Sequence, residues 1–200
     1  MELEKLVHWR VDREVRKKVI EAGDYNAVPY EDAKCIVIVS EVRCRDESGR
    51  ECPLGVPTVL LDSQSAQSLL EWRVGMAENG LDRDIELVLR QMCRGERCIA
   101  TLVYRSLQGK QLREVSCELH LKDVKETSLV ADWSWQQLVC TAERHKERGV
   151  ILVKEGRLQN AFILFSKAFK FLIALEPLEL AELPADEHPR VLDLKVHNET

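Results

Sequence analysis

The hydrophobic period of this chain changes once, between about residue 125 and Trp133, so one kind of secondary structure cannot run throughout. Before the change, Val115, Cys117, Leu119 and Leu121 alternate with Ser116, Glu118, His120 and Lys122. That is a strand with one dry face and one wet face. Cys35-Ile36-Val37-Ile38-Val39 is a short β-branched run that reads as a buried strand, and Arg97 to Tyr104 reads as another. Thr58 to Leu61 and Leu70 to Val74 are weaker strand candidates, separated from the first by the polar turn Asp46-Glu47-Ser48-Gly49 and a loop with Pro53, Gly55 and Pro57. One helix is expected from Asp82 to Cys93. Ile85, Val88, Leu89 and Met92 form its apolar stripe, Asp82 caps it, Asp84 and Glu86 complement its positive end, and Gly95 stops it. The fold class is therefore α+β over residues 1–126, an antiparallel sheet wrapped around one short helix.

After the change, Gln136 to Lys154 and Arg157 to Leu175 both carry helical periodicity, joined by the turn Lys154-Glu155-Gly156-Arg157. Residues 127–200 thus form an all-α hairpin with its linker. Gly149 sits inside the first helix, where glycine costs about 1 kcal/mol against alanine, so a closely packed neighbour is expected beside it. All 4 phenylalanines lie in the second helix. Phe162, Phe165 and Phe169 are expected to pack between helices, and a helix apolar nearly all round needs cover on more than one side. A homodimer, or docking on the N-terminal domain, would supply that cover. Val191 to Thr200 reads either as the start of another repeat or, with the rest of Glu176 to Thr200, as a folded-back cap.

Composition removes several functions. Lys plus Arg number 29 and Asp plus Glu 34, a net charge of −5 without a basic block, which fits neither nucleic acid nor an anionic membrane surface. The longest near-apolar run, Ala161 to Leu175, is broken by Ser166, Lys167 and Lys170 and is too short to span a bilayer. Met1 to Ile20 is charge-rich and lacks the apolar segment of a secretory signal. The 7 cysteines are odd in number, form no Cys-x-x-Cys pair and have no clustered histidine, so reduced thiols and no metal or cofactor are expected. Cys93 and Cys98 flank a turn and could pair. These features place the chain in the cytoplasm, with the nucleus open as a second compartment. His8, His120, His145, His188 and His197 are scattered, and no nucleophile–base constellation or nucleotide-binding motif is present.

Two stretches carry a resemblance. Lys146-Glu147-Arg148-Gly149, Lys154-Glu155-Gly156-Arg157, Ala161 and Ser166-Lys167-Ala168 resemble a tetratricopeptide repeat, most closely the first repeat of the immunophilin co-chaperones. Trp133-Ser134-Trp135 resembles the linker that precedes it there. Val7 to Val124 resembles an FK506-binding-protein (FKBP) domain. Asp12 to Gly23, with Lys18 and Gly23, looks like its opening strand and turn. Met92-Cys93-Arg94-Gly95-Glu96 matches the segment after its helix, and Cys117 to Leu121 resembles its closing strand. The resemblance implies an FKBP-like fold followed by a tetratricopeptide-type hairpin.

It also implies a degenerate pocket. Ile85 stands where the family places a pocket-floor Trp, Leu61 where it has Phe, and Ser40 near a missing strand aromatic; Asp62-Ser63 retains the pocket's Asp-Ser. Only Ser106 to Lys110 replaces the tyrosine-bearing loop. Prolyl isomerases lower an amide rotation barrier of about 18–20 kcal/mol by holding the twisted state in a dry aromatic cup. Without the cup, a noncatalytic scaffold or co-chaperone that binds and positions a protein is expected; an active chaperone-linked isomerase with an altered pocket is the alternative. Similarity to noncatalytic members that join the two parts implies a doubletime-type clock kinase as partner. A heat-shock chaperone tail is a weaker expectation. Lys146 matches the Lys of the family's carboxylate clamp, but Val150 replaces its Asn, and Asn198 resembles the Asn of the second repeat. Lys146, Val150, Phe162, Phe165 and Asn198 are the candidate partner contacts.

Overall fold

A computed structural model describes residues 4–61, 69–125, 128–175, 188, 189 and 191. Two compact units divide the chain, residues 1–127 and 128–200. In the first, six strands form one antiparallel sheet: β1 (Lys5–Arg10), β2 (Arg13–Glu21), β3 (Lys34–Asp46), β4 (Leu70–Arg73), β5 (Arg97–Arg105) and β6 (Gln111–Lys125). Their order is β1-β2-β5-β6-β3-β4. The register follows the hydrophobic alternation. Cys35 faces Val124, Val37 faces Leu121 and Val39 faces Leu119 across β3 and β6, and all six side chains are buried. Cys98, Ala100 and Leu102 continue the same dry face on β5. Helix α1 (Gly80–Leu89) contributes Ile85, Val88 and Leu89 to this core, joined just beyond its end by Met92, all with no exposed surface. Strand β1, charged and largely exposed, carries too little alternation to be read from the sequence.

Three sequence expectations for this unit are corrected. Helix α1 ends at Leu89 rather than Cys93, because the chain tightens there: Gln91 donates to the Val88 carbonyl and Met92 to that of Leu89, three residues back. Asn79, not Asp82, is the N-cap; its side-chain oxygen accepts from the Asp82 amide at 2.8 Å. Thr58 to Leu61 is not a strand. The Val59 and Leu60 amides donate to the Asp82 carboxylate at 3.0 and 3.2 Å, and the Leu61 amide to Thr58 Oγ1, so no partner strand is needed.

The acidic residues of α1 are also more than dipole partners. Asp82, Asp84 and Glu86 are all buried. Glu86 accepts from Trp72 Nε1 at 3.2 Å and from the Gly75 amide at 2.9 Å, while Asp84 pairs with Arg13 at 3.0 Å. Desolvation raises the Asp84 carboxyl above its ordinary range despite that arginine. Elsewhere Lys17 is buried. It donates to Glu96 Oε1 at 2.9 Å and to the Gln91 carbonyl, and Glu96 accepts the Cys93 amide at 3.1 Å. Gly23 lies against this turn. A Cβ there would meet the Arg94 carbonyl at 2.6 Å and the Glu96 nitrogen at 2.7 Å, so the glycine is set by close approach.

The second unit is a helical hairpin, α2 (Trp135–Lys154) and α3 (Leu158–Ile173). Ser134 caps α2 with a reciprocal pair: Ser134 Oγ accepts from the Gln137 amide and Gln137 Oε1 from the Ser134 amide. Glu155 closes α2, and Gly156 turns the chain at φ +74°. Leu138, Val139, Ala142, Ala168, Phe171 and Leu172 form its core, with Val191 packed against them. Trp133 stacks on Phe171 at 5.5 Å between ring centroids and donates Nε1 to the Ser128 carbonyl, tying the segment before α2 to the hairpin. Of residues 176–200, only 188, 189 and 191 are among the described residues.

Candidate functional site

The first unit carries an open hollow of about 540 Å³, built by an irregularity in β3. Pairing with β6 slips between Ser40 and Arg43, and Glu41 adopts φ +51°. Such a bulge re-aims the strand beyond it. Val42 and Cys44 are thereby directed into the hollow, whose other described lining residues are Cys52, Pro53, Leu54, Val56, Pro57, Thr58 and Leu61. None of these carries an aromatic ring. From the far wall, Arg113 donates to the Leu54 carbonyl at 2.6 Å and lies over the Tyr104 ring at 4.9 Å, fixing the loop that forms the rim.

Cys44 and Cys52 face each other across a short hairpin. The Arg45–Glu51 bridge and the Cys52 amide donating to the Cys44 carbonyl at 2.9 Å put the two residues in direct register. Their sulfurs are 3.4 Å apart. Burial, then the contact with Cys52, pushes the Cys44 thiol up to about 11, and only Arg113 pulls it the other way. Asp46 holds the turn, accepting from the Ser48 amide and hydroxyl and the Arg50 amide. Those hydrogen bonds, with the one from Ser48 Oγ foremost, lower its carboxyl. The sequence signal for this pair is its symmetry: Cys44 and Cys52 are equidistant from Ser48 in the polar turn. Cys93 and Cys98, the pair considered from sequence, are both free; the Cys98 thiol contacts Met92 Sδ at 3.6 Å.

Of the expected pocket positions, Leu61 and Ile85 belong to one buried core. Leu61 is fully buried at the floor of the hollow. Ile85 is sealed in the sheet–helix core with no exposed surface. Ser40 is paired with Glu118 in the sheet and is half-buried. Asp62 lies outside the described residues, as does Asn198.

On the hairpin, Lys146 is half-buried and Val150 exposed, one turn apart on α2. Phe165 packs on Leu152, Ala161 and Leu164, and its ring lies where a Gly149 side chain would be, with ring carbons 2.6–2.9 Å from the Cβ position. The expected close neighbour of Gly149 is thus Phe165. Phe162 and Phe169 depart from expectation: they are 71% and 36% exposed and do not fill the space between the two helices. With Leu158 and Ile173, both exposed, they recur at helical spacing as an apolar stripe along α3.

A family model described as "BDBT FKBP like N-terminal" matches residues 9–126. The chain belongs to this family. No curated protein sequence matches it. Among solved structures, residues 1–211 of CG17282 are 22% identical, with 92% of this chain and 84% of that one covered and a TM-score of 0.71. That likeness establishes the same fold. The three FKBP domains of wheat FKBP73 align at 17% identity over 56% of this chain and 44% of theirs, with a TM-score of 0.36.

The FKBP-like domain of this chain therefore comprises the six-stranded sheet with α1 laid on it, and the bulge hollow is a feature of it open to a ligand. No group of His, Cys, Asp and Glu able to hold a metal occurs among the described residues. No helix among them is long and apolar enough to cross a membrane.

Proposed function

We propose that the protein is a noncatalytic binding scaffold, with the FKBP-like domain as a rigid platform and the hairpin as the surface that takes a folded protein partner. The observation that carries this reading is the chemistry of the hollow. Its described walls are aliphatic, prolyl and thiol with the one hydroxyl residue Thr58, and Ile85, at the position of the family's floor aromatic, is buried in the core. A proline amide entering such a hollow gains no ring contact that strengthens as the bond twists, so planar and twisted states are held alike. The partner surface in this reading is the α3 stripe of Leu158, Phe162, Phe169 and Ile173 on a tetratricopeptide-type hairpin. Membership of the BDBT-type family, with the sequence likeness to bride of doubletime, supports a doubletime-type clock kinase as the partner.

Two measurements test the proposal. Proline-peptide isomerisation should run at its uncatalysed rate in the presence of the protein, with an intact FKBP as positive control. Acceleration lost on Leu61→Ala would establish the enzyme instead. Titration of a recombinant doubletime-type kinase should give a saturable complex that Phe162→Asp weakens at least about tenfold, the size expected for loss of one aromatic anchor. Phe162 is already exposed, so the substitution leaves folding intact. Equal affinity of Phe162→Asp would remove the α3 surface, and no complex at all would remove the kinase.

A further inference from the structure

The Cys44–Cys52 pair has no part in the scaffold reading, yet its geometry is that of a site. The two residues are a hydrogen-bonded cross-strand pair, a relation that sets Cα atoms about 5.5 Å apart, within the range that a disulfide bridges. The sulfurs already touch at 3.4 Å. The turn between them is held by three hydrogen bonds to one Asp46 oxygen and by Asp46 and Arg50 pairing through their backbones at 2.9 Å. Cys52 is partly exposed at the hollow's rim, while Cys44 is buried beneath it. Cys52 is therefore the more accessible of the two thiols.

We propose that Cys44 and Cys52 form a reversible disulfide by exchange with a small disulfide of the glutathione type, making the mouth of the hollow a redox-modifiable site. The Cys52 thiolate attacks a glutathione disulfide sulfur; the Cys52–glutathione bond forms, the glutathione disulfide bond breaks, and one glutathione leaves as thiolate and takes up a proton. Cys44 then gives up its proton and attacks the Cys52 sulfur. The Cys44–Cys52 bond forms and the second glutathione leaves. Two protein thiols are oxidised by two electrons, and one glutathione disulfide becomes two thiols. The Arg113 guanidinium favours the Cys44 thiolate in the second step against the burial that opposes it. Closing this bond clamps the start of the rim, Pro53 and Leu54, to β3, because Cys52 immediately precedes them.

The test is equilibration of the full chain in glutathione redox buffers, followed by alkylation and peptide mapping without reduction. The expected product is one Cys44–Cys52 disulfide per chain, reversed by dithiothreitol, with Cys35, Cys98 and Cys117 still alkylated only after unfolding. Its equilibrium constant should be at least about tenfold larger in the folded chain than in urea, because the fold presets the contact. Cys44→Ser should leave Cys52 as a mixed disulfide with glutathione. Wild-type protein that stops at that mixed disulfide, a bridge to any other cysteine, or an equal constant in urea would each overturn the proposal. The wild-type mapping stands even if the serine variant folds poorly.

Discussion

Gly149→Ala should destabilise the hairpin, against the usual effect of that change in a helix. In an open helix interior, alanine gains about 1 kcal/mol over glycine. Here the added methyl would lie 2.6–2.9 Å from three ring carbons of Phe165. Carbon contacts settle at about 3.5–4.0 Å, so the ring must retreat by about 1 Å or swing out. Retreat presses on Leu152, Ala161 and Leu164, each at most 1% exposed and with no slack to absorb it. Swinging out instead exposes apolar surface of the order of 80 Å², which is about 2 kcal/mol at 25 cal/mol per Å². Both routes fall within the 1–3 kcal/mol range of overpacked cores. Subtracting the propensity gain leaves a net loss of about 1 kcal/mol. In a Phe165→Ala background the methyl has room, and the same substitution should then stabilise by about 1 kcal/mol, a coupling of about 2 kcal/mol. Because the two units can unfold separately, the readout is amide exchange at the middle of α2, alongside urea unfolding of the whole chain. If Gly149→Ala stabilises both backgrounds equally, Phe165 does not occupy the space assigned to it and the packing argument fails.

Asp82→Ala should cost about 2–3 kcal/mol, because it removes a charged acceptor and leaves the buried Leu60 amide unpaired. A urea midpoint within error of wild type would show that this loop is not held by the helix. His120 should make the first unit lose stability in mild acid. Burial, then Lys122 and Arg97, holds it below the ordinary imidazole value of 6.5 in the folded state. The unfolded chain therefore takes up the proton first, and stability is lost as pH falls from about 6.5 through the folded-state value. His120→Gln should flatten the fall between about pH 6.5 and pH 5, above the range in which ordinary carboxylates titrate. An unchanged slope would place the acid-sensitive group elsewhere.

What the sequence made legible was periodicity, and what it hid was polar burial. The alternation of Val115, Cys117, Leu119 and Leu121 fixes which face of β6 is dry, because a one-residue slip would invert it. The Ile85, Val88 and Leu89 stripe likewise fixes how α1 meets the sheet. Gly149 could be assigned a close neighbour from its cost alone, although not which residue. Nothing in a hydrophobic pattern distinguishes a solvated Lys17 from one buried on Glu96, or a capping Asp82 from one holding a loop, because pairing across 79 or 22 residues leaves no local trace. The bulge at Glu41 is hidden for the same reason. It is a mismatch between two strands, and neither strand alone records it.

The same polar burial bears on the function assigned to α1. A helix that walls an open cleft keeps one face in contact with solvent or ligand. In α1 the apolar face, with Ile85, Val88 and Leu89, is spent on the sheet. The acidic residues that flank this face are also engaged, through Asp82 to the Val59–Leu60 turn, Asp84 to Arg13, and Glu86 to Trp72 and Gly75. Placing a ring at position 85 would therefore overfill a closed core rather than furnish a cup. Ile85→Trp is a substitution of the overpacking kind, which costs about 1–3 kcal/mol or more. The hollow with aliphatic walls at the bulge lies among Val42, Leu54 and Leu61, and no α1 residue is among its described lining. Opening α1 to a proline ligand would thus require releasing at least one of the three carboxylates from its partners, which is a larger change than a single aromatic substitution. The noncatalytic reading rests on that closed helix as much as on the identity of residue 85.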